Sequence, residues 1–459
     1  SYKGATWPTP HQPPPPMAEP NLASRAVSNV VHAHYAWYIV GMGTALQLTT
    51  NFVSQAFAIL VVVMRDNFGW SLTAIVLAYS LRNIIGALLS PYAGVLGDRY
   101  GAKRVMMVGA GFFVGGLILL STITELWQLF LYYSIVLGIA QAMFRVNIPT
   151  TVAAWFEKKL GVAVGIQQSA GGMGASVLAP GLTILLTQTD WQTAFLLIGI
   201  GGGVVVFSLL AFFHGEPSDR GKLPYGADDS EKPVVDQFSA AVSKIRSKEF
   251  LKHAKETRAF WFLPLVHHLG CVGHSIVMVH GVFYATTKGV SLEAAAFIIS
   301  IYSFSSVASR LMVPILADRM GAKGVMACFY FIQGAAVVML FWTQEPWQFY
   351  IFAIVFGVGF GGEMSAFIVV NRQYFGMGPV RTVFGIQSMG AGLGMALGGL
   401  VGSVIYDSFG SYNLAWIVSL VASMGGMLAI FTMESTKRVL IPDWEQSLPR
   451  EAQTPAPAD

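Results

Sequence analysis

Four charged side chains interrupt otherwise uncharged apolar runs: Arg82, Arg145, Arg310 and Glu363. An ionised group inside hydrocarbon is costly and persists where it binds, relays or pairs. Arginine keeps its proton, so three guanidinium groups against one carboxylate leave an excess of positive charge. One arginine can pair with Glu363, and the others call for an anion from outside the chain. A guanidinium offers a carboxylate two parallel hydrogen bonds, so the chemistry implied is reversible binding of a small anion. For each arginine the structural alternative is an ion pair between helices. Glu363 reads either as a counter-ion or as a proton carrier. His267 and His274 lie seven residues apart on one helical face, where imidazoles can pass protons or donate to an anion. Histidines satisfied by backbone carbonyls, with His268 and His280 beside them, are the alternative. No third ligand follows at metal-site spacing, so neither a metal nor a cofactor is expected. Gln47, Asn51 and Gln55 recur at i, i+4 and i+8 as one polar stripe. With Asn147 next to Arg145, the candidate binding set is Arg310, Arg145, Arg82, Gln47, Asn51 and Asn147.

The elements that must carry these residues are membrane helices. Charged residues make up 11% of the chain and hydrophobic ones 54%, with mean hydropathy +0.58, against about a quarter charged in soluble domains. Twelve apolar runs between residues 36 and 433 are each long enough to cross roughly 30 Å of hydrocarbon. Inside lipid every backbone amide must be satisfied within its own segment, so the runs are helices. Gly97-Asp98-Arg99-Tyr100-Gly101-Ala102-Lys103-Arg104 returns as Ala317-Asp318-Arg319-Met320-Gly321-Ala322-Lys323, 220 positions later. Trp127-Gln128 and Trp347-Gln348 keep that offset, as do Gly165-Ile166-Gln167 and Gly385-Ile386-Gln387. The chain is a tandem duplication: halves at 36–213 and 259–433, a linker at 214–258, and tails at 1–35 and 434–459. Two like halves related by an axis along the membrane normal define a large class of carriers.

Of 28 Lys and Arg residues, 23 fall in the tails or the even-numbered connections, which places both termini and the linker in the cytoplasm of a cell membrane. The Pro-rich first 35 residues and the tail from about Pro442 read as disordered, and no signal peptide is expected. Ser239 to Lys255 reads either as an amphipathic helix on the membrane surface or as a plain solvated linker. Cys271 and Cys328 both fall inside spans, against a disulfide. The net charge of +4 sits in the loops and implies no nucleic-acid partner. The expected partners are the bilayer, a small anion and protons. Glycines crowd the fifth and eleventh runs without the flanks of a phosphate loop; they read as close helix packing.

The duplicated loop resembles the signature of the major facilitator superfamily, over roughly residues 36–435. The resemblance implies an all-α integral membrane protein with twelve helices in two six-helix pseudo-symmetric bundles, usually a monomer. It makes Gly97, Asp98, Arg99, Gly101, Arg104, Asp318, Arg319, Gly321 and Lys323 a gating motif that pairs with neighbouring helix ends in one state and separates in the other. Phe68-Gly69-Trp70-Ser71, Trp155-Phe156-Glu157-Lys158-Lys159 and Glu216-Pro217-Ser218-Asp219-Arg220-Gly221 resemble the monocarboxylate and oxalate/formate transporter branch. That branch carries a carboxylate-clamping arginine where Arg310 stands. It also carries an acid one turn earlier, where this chain has Ser306, and lysines in the first or eleventh run, where this chain has none. Arg82 and Arg145 would then supply the second positive charge. The function implied is secondary active transport of small mono- or dicarboxylates, proton-coupled or by exchange. The alternatives are an inorganic-anion porter of the nitrate kind and a non-transporting anion sensor; no enzyme is implied, because no nucleophile and base can be assembled.

Overall fold

The computed structural model describes residues 34–55, 64, 67–70, 72–228 and 239–453. Among them run twelve long helices. The first six are α1 (Tyr35–Gln55), α2 (Leu72–Tyr100), α3 (Ala102–Leu120), α4 (Leu126–Ala154), α5 (Leu160–Gln188) and α6 (Trp191–Phe212). The second six are α7 (Arg258–Thr287), α8 (Leu292–Met320), α9 (Ala322–Phe341), α10 (Pro346–Phe375), α11 (Arg381–Phe409) and α12 (Asn413–Thr432). Nine of the described helices are, taken singly, long and apolar enough to cross a membrane. The end of the first predicted run, and Gln55's side chain, lie outside the described residues.

The 220-residue repeat has a structural cause at each landmark. Trp127-Gln128 and Trp347-Gln348 belong to capping boxes that start α4 and α10. Gln128 Oε1 accepts from Thr124 N and Glu125 N, and Gln348 Oε1 from Gln344 N and Glu345 N, at 2.7 and 3.0 Å in both copies. Two N–H groups without helical partners are thereby satisfied at each start. Lys103 Nζ donates to Ala211 O at 2.7 Å and Lys323 Nζ to Phe431 O at 3.1 Å, a cation placed on the carbonyl end of α6 and of α12. Gly101 (φ +86°) and Gly321 (φ +90°) make the α2–α3 and α8–α9 turns in a backbone region that glycine alone enters cheaply.

α2 packs on α11 and α5 on α8, one pair on each side of the interface between bundles. Pro314 in α8 lacks the N–H that would bond the Arg310 carbonyl one turn earlier, and its own carbonyl meets α5 at Gly161.

The linker helix spans Ala240–Lys255, capped by Ser239. It serves as a docking surface for the tail, where the sequence suggested a helix lying on lipid. Tail residues that read as disordered from Pro442 are ordered through 453: Trp444, Leu448 and Ala452 are buried. The reason is a specific anchor. Phe250 meets Trp444 edge-on at 5.1 Å, Arg246 lies 5.0 Å over the Trp444 ring, and the Arg246 guanidinium pairs with Glu445 at 2.5 Å. Trp444→Ala removes the aromatic centre of this anchor. Protease cleavage within 440–453 should rise roughly tenfold as the tail detaches, with the twelve helices still protected; unchanged cleavage would mean that the ion pair alone holds the tail.

Candidate functional site

The motif residues act at one end of the bundles. Asp98 Oδ2 accepts from Thr382 N at 2.9 Å and from Thr382 Oγ1 at 2.7 Å, so the first copy caps the start of α11. Asp318 Oδ2 accepts from Gly161 N at 3.1 Å, so the second copy caps the start of α5. Each aspartate thus reaches a helix N-terminus of the other bundle, where the partial positive charge of that end favours a carboxylate. Arg381 adds a third connection, with Nη1 3.0 Å from Glu216 Oε1 and 3.7 Å from Asp98 Oδ1. Arg372 Nη2 donates to Phe156 O at 3.4 Å. These bonds between the two bundles gather at the motif end and hold it closed. Gly97 packs against Asn147 and Arg381. Arg99 lies over the Tyr100 ring, and Arg104 and Arg319 are exposed.

A cavity of 1120 Å³ opens at the same end, lined by Asp98, Arg99, Glu216, Arg381, Arg246 and Trp444 among others. His214 borders it too; partial burial, then Lys103 and Arg220, hold its imidazole below the ordinary range. Neither Arg381 nor Glu216 stood among the predicted site residues. Arg381 was legible as one of the loop cations, but its partners are not. Asp98→Asn keeps the shape and weakens both charge-assisted bonds to Thr382 as well as the attraction to Arg381; transport should fall roughly tenfold with the motif end more open. Glu216→Gln should cost far less, because Glu216 is half exposed. Equal effects would show that the aspartate is not the principal latch.

Deeper in the bundles the predicted residues divide. Arg310 is buried, with Cζ 4.9 Å over the Phe360 ring. Its Nε has no partner, and no ion pair reaches it among the described residues. A methyl group placed on Gly171 would meet Arg310 Nη1 at 3.5 Å and Gln47 Nε2 at 3.7 Å. Two donor groups, from α8 and α1, therefore converge over one bare stretch of α5. The Gln47 carbonyl oxygen is turned away, bonded to Gln167 Nε2. Asn51 is half-buried one turn further along α1.

Arg145 lies against Gly392 of α11, its Nη1 3.4 Å from where a Cβ would stand. It is within electrostatic reach of Arg82, Cys271 and His267. Arg82 is seated on Tyr133, its Cζ 5.4 Å from the ring centroid. Asn147 does not join Arg145, although the two are close in sequence. Its amide donates to Met143 O at 2.8 Å and Ala93 O at 3.5 Å, and its Oδ1 faces Gly97. Two positions along a helix turn a side chain to another face, and Asn147 fastens α4 to α2.

Glu363 is fully buried and bonds His274, Oε2 to Nδ1, at 3.0 Å. It lies within electrostatic reach of Arg310 but beyond ion-pair distance. The other ring nitrogen of His274 faces Met395 Sδ at 3.1 Å. Both neighbours of this imidazole, the Glu363 carboxylate and the Met395 thioether, are acceptors. His268 and His280 take the other course, each against a backbone carbonyl of α11, Gly390 O at 3.1 Å and Gly399 O at 2.9 Å.

Linear spacing showed no third ligand near His267 and His274, but the fold brings one residue of ligand type from another helix. Glu363 arrives from α10, so that Cys271, His274 and Glu363 each offer one ligand atom within 4.8 Å of the others. His274 Nδ1 is already committed to Glu363 in that group.

Two like six-helix bundles with aspartate latches from each to the other, and buried arginines between them, define a multi-pass membrane carrier. The profile of the Major Facilitator Superfamily matches residues 40–342 and 265–457, and the chain belongs to that family. It is 23% identical over 84% of its length to the oxalate:formate antiporter of Oxalobacter formigenes, covering 88% of that protein. To monocarboxylate transporter 12 of Rattus norvegicus it is 22% identical over 84% of its length and 82% of the relative's. Among solved structures, the proton:xylose symporter XylE has a TM-score of 0.65 at 15% identity, over 88% of this chain and 98% of that one. FucP in the outward conformation has a TM-score of 0.64 at 14% identity, over 86% and 98%. These likenesses show the fold, and the protein is a transporter of that family rather than an enzyme.

Proposed function

We propose that this transporter carries a small organic carboxylate, bound between the bundles by Arg310 and Gln47. The observation that carries the reading is the convergence of two donors, Arg310 Nη1 and Gln47 Nε2, over Gly171. A buried guanidinium left without an anion is costly, and a carboxylate accepts its two parallel N–H groups. Relatives named for oxalate, formate and monocarboxylates support the same class. Arg145 adds positive potential from α4, and Arg82 fastens α2 to α4 through Tyr133.

The motif end faces the cytoplasm, where the loop cations gather, so the closed latches correspond to a site accessible from outside. Rocking of the bundles exchanges that state for its opposite. Glu363 and His274, bonded to each other within electrostatic reach of Arg310, carry the coupling proton. The carrier works as a monomer in the cell membrane.

A thermal-shift screen tests the substrate class, because a ligand of the native state raises Tm by mass action. Acetate, pyruvate or oxalate should stabilise the purified protein, and nitrate and phosphate should not. Stabilisation by nitrate or phosphate alone would replace this reading with inorganic-anion transport.

A further inference from the structure

We infer that His267 donates a hydrogen bond from Nε2 to a second acceptor group of the substrate. The inference rests on the carboxylate reading and goes beyond it to the far end of the bound molecule.

The repeat makes His267 the counterpart of Gln47, 220 positions on, and Gln387 the counterpart of Gln167. The structure keeps the relation: Gln167 holds Gln47, and Gln387 Nε2 lies 3.3 Å from His267 Nδ1. In the second bundle the hydrogen positions follow from the network. Asn371 Nδ2 donates to Phe367 O at 2.7 Å, which fixes its amide. The same Nδ2 donates to Gln387, so the atom of Gln387 facing it is the carbonyl oxygen Oε1. Gln387 therefore presents its NH2 group to His267, and Nδ1 must accept. The imidazole is neutral, with its proton on Nε2.

That N–H is buried and has no partner, on a residue only 4% exposed. The ring is held face to face with Phe367 at 3.9 Å. A buried donor without an acceptor is costly and rare. An oxo, hydroxyl or second carboxylate oxygen of a substrate clamped by Arg310 would satisfy it. Each end of the site then combines a donor from α1 or α7 with a guanidinium from the opposite bundle: Gln47 with Arg310, and His267 with Arg145.

The test is KM in proteoliposomes for acetate, which has one carboxylate only, against pyruvate and oxalate, which add an acceptor. His267→Leu removes the donor, and His267→Gln restores it in the chemistry already present at Gln47. Expected is a rise in KM for pyruvate or oxalate roughly tenfold larger than the rise for acetate in the leucine variant, with the glutamine variant near wild type. Melting temperatures of both variants identify any loss of fold. An equal change for all three probes, no change, or a glutamine variant as impaired as the leucine one while folded would overturn the assignment of His267. A wild type that carries none of the probes would overturn the carboxylate reading and this inference with it.

Discussion

Arg310→Gln is expected to raise the KM for carboxylate by roughly 100-fold or more. Removing one partner of a desolvated, charge-assisted pair costs several kcal/mol (about 2–5), part of it from the anion left without its countercharge. Glutamine keeps two donors and much of the length, so the variant isolates charge from shape. Arg310→Lys should fall between the two, because a point charge cannot offer parallel N–H groups. The fold should tolerate both changes: Arg310 has no ion-pair partner to strand among the described residues, and its packing is against the face of Phe360. Tm in the absence of anion should therefore move little, whereas stabilisation by anion should be lost. A KM within about threefold of wild type would make Arg310 a packing residue.

Gly161→Ala should nearly abolish transport by a different route. A Cβ at Gly161 would stand 2.2 Å from Pro314 O and 2.8 Å from Asp318 Cβ. The first contact is with backbone, which has no rotamer to give, and close-packed interiors absorb such overlaps only by moving whole elements. The overlap exists only while α5 and α8 meet at the motif end, so the methyl group penalises the closed state and spares the separated one. An added cost of about 2 kcal/mol shifts a two-state population roughly 30-fold. The variant should keep less than a tenth of wild-type uptake. In a background without Cys271 and Cys328, spin labels at Tyr100 and Met320 should report a longer distance. Unchanged distances together with normal uptake would mean that the packing relaxes without cost.

The sequence was most legible where chemistry repeats. The resemblance made the aspartates of the duplicated motif gating residues that pair with neighbouring helix ends, and the structure puts both on opposing helix starts. Trp127-Gln128 and Trp347-Gln348 were visible as landmarks, but their capping function needed Thr124 N and Gln344 N in place. Arg310 and Gln47 were named as one binding set, but their meeting over Gly171 needed the fold. The pairs that spacing missed all join distant elements: Glu363 with His274 and Gln387 with His267 between helices, and Arg381 with Glu216 between a helix start and the loop after α6. Contacts of that kind depend on each helix's rotation and depth, which periodicity along a single helix leaves undetermined. Asn147 shows the same point in reverse. Its neighbourhood to Arg145 in sequence suggested a shared site, while two positions of helical rotation carry it to the α2 face. The tail misled because its prolines suggest disorder, and a single tryptophan with Phe250 and Arg246 to receive it outweighs them.

The most direct measurement is counterflow in proteoliposomes: vesicles loaded with unlabelled carboxylate are diluted into a trace of the labelled compound. Transient accumulation of label is expected with acetate, pyruvate or oxalate inside, with little effect of internal nitrate or phosphate and no accumulation with Arg310→Gln. Accumulation driven by nitrate or phosphate instead, binding of carboxylate without flux, or equal flux in the Arg310 variant would contradict the proposed function.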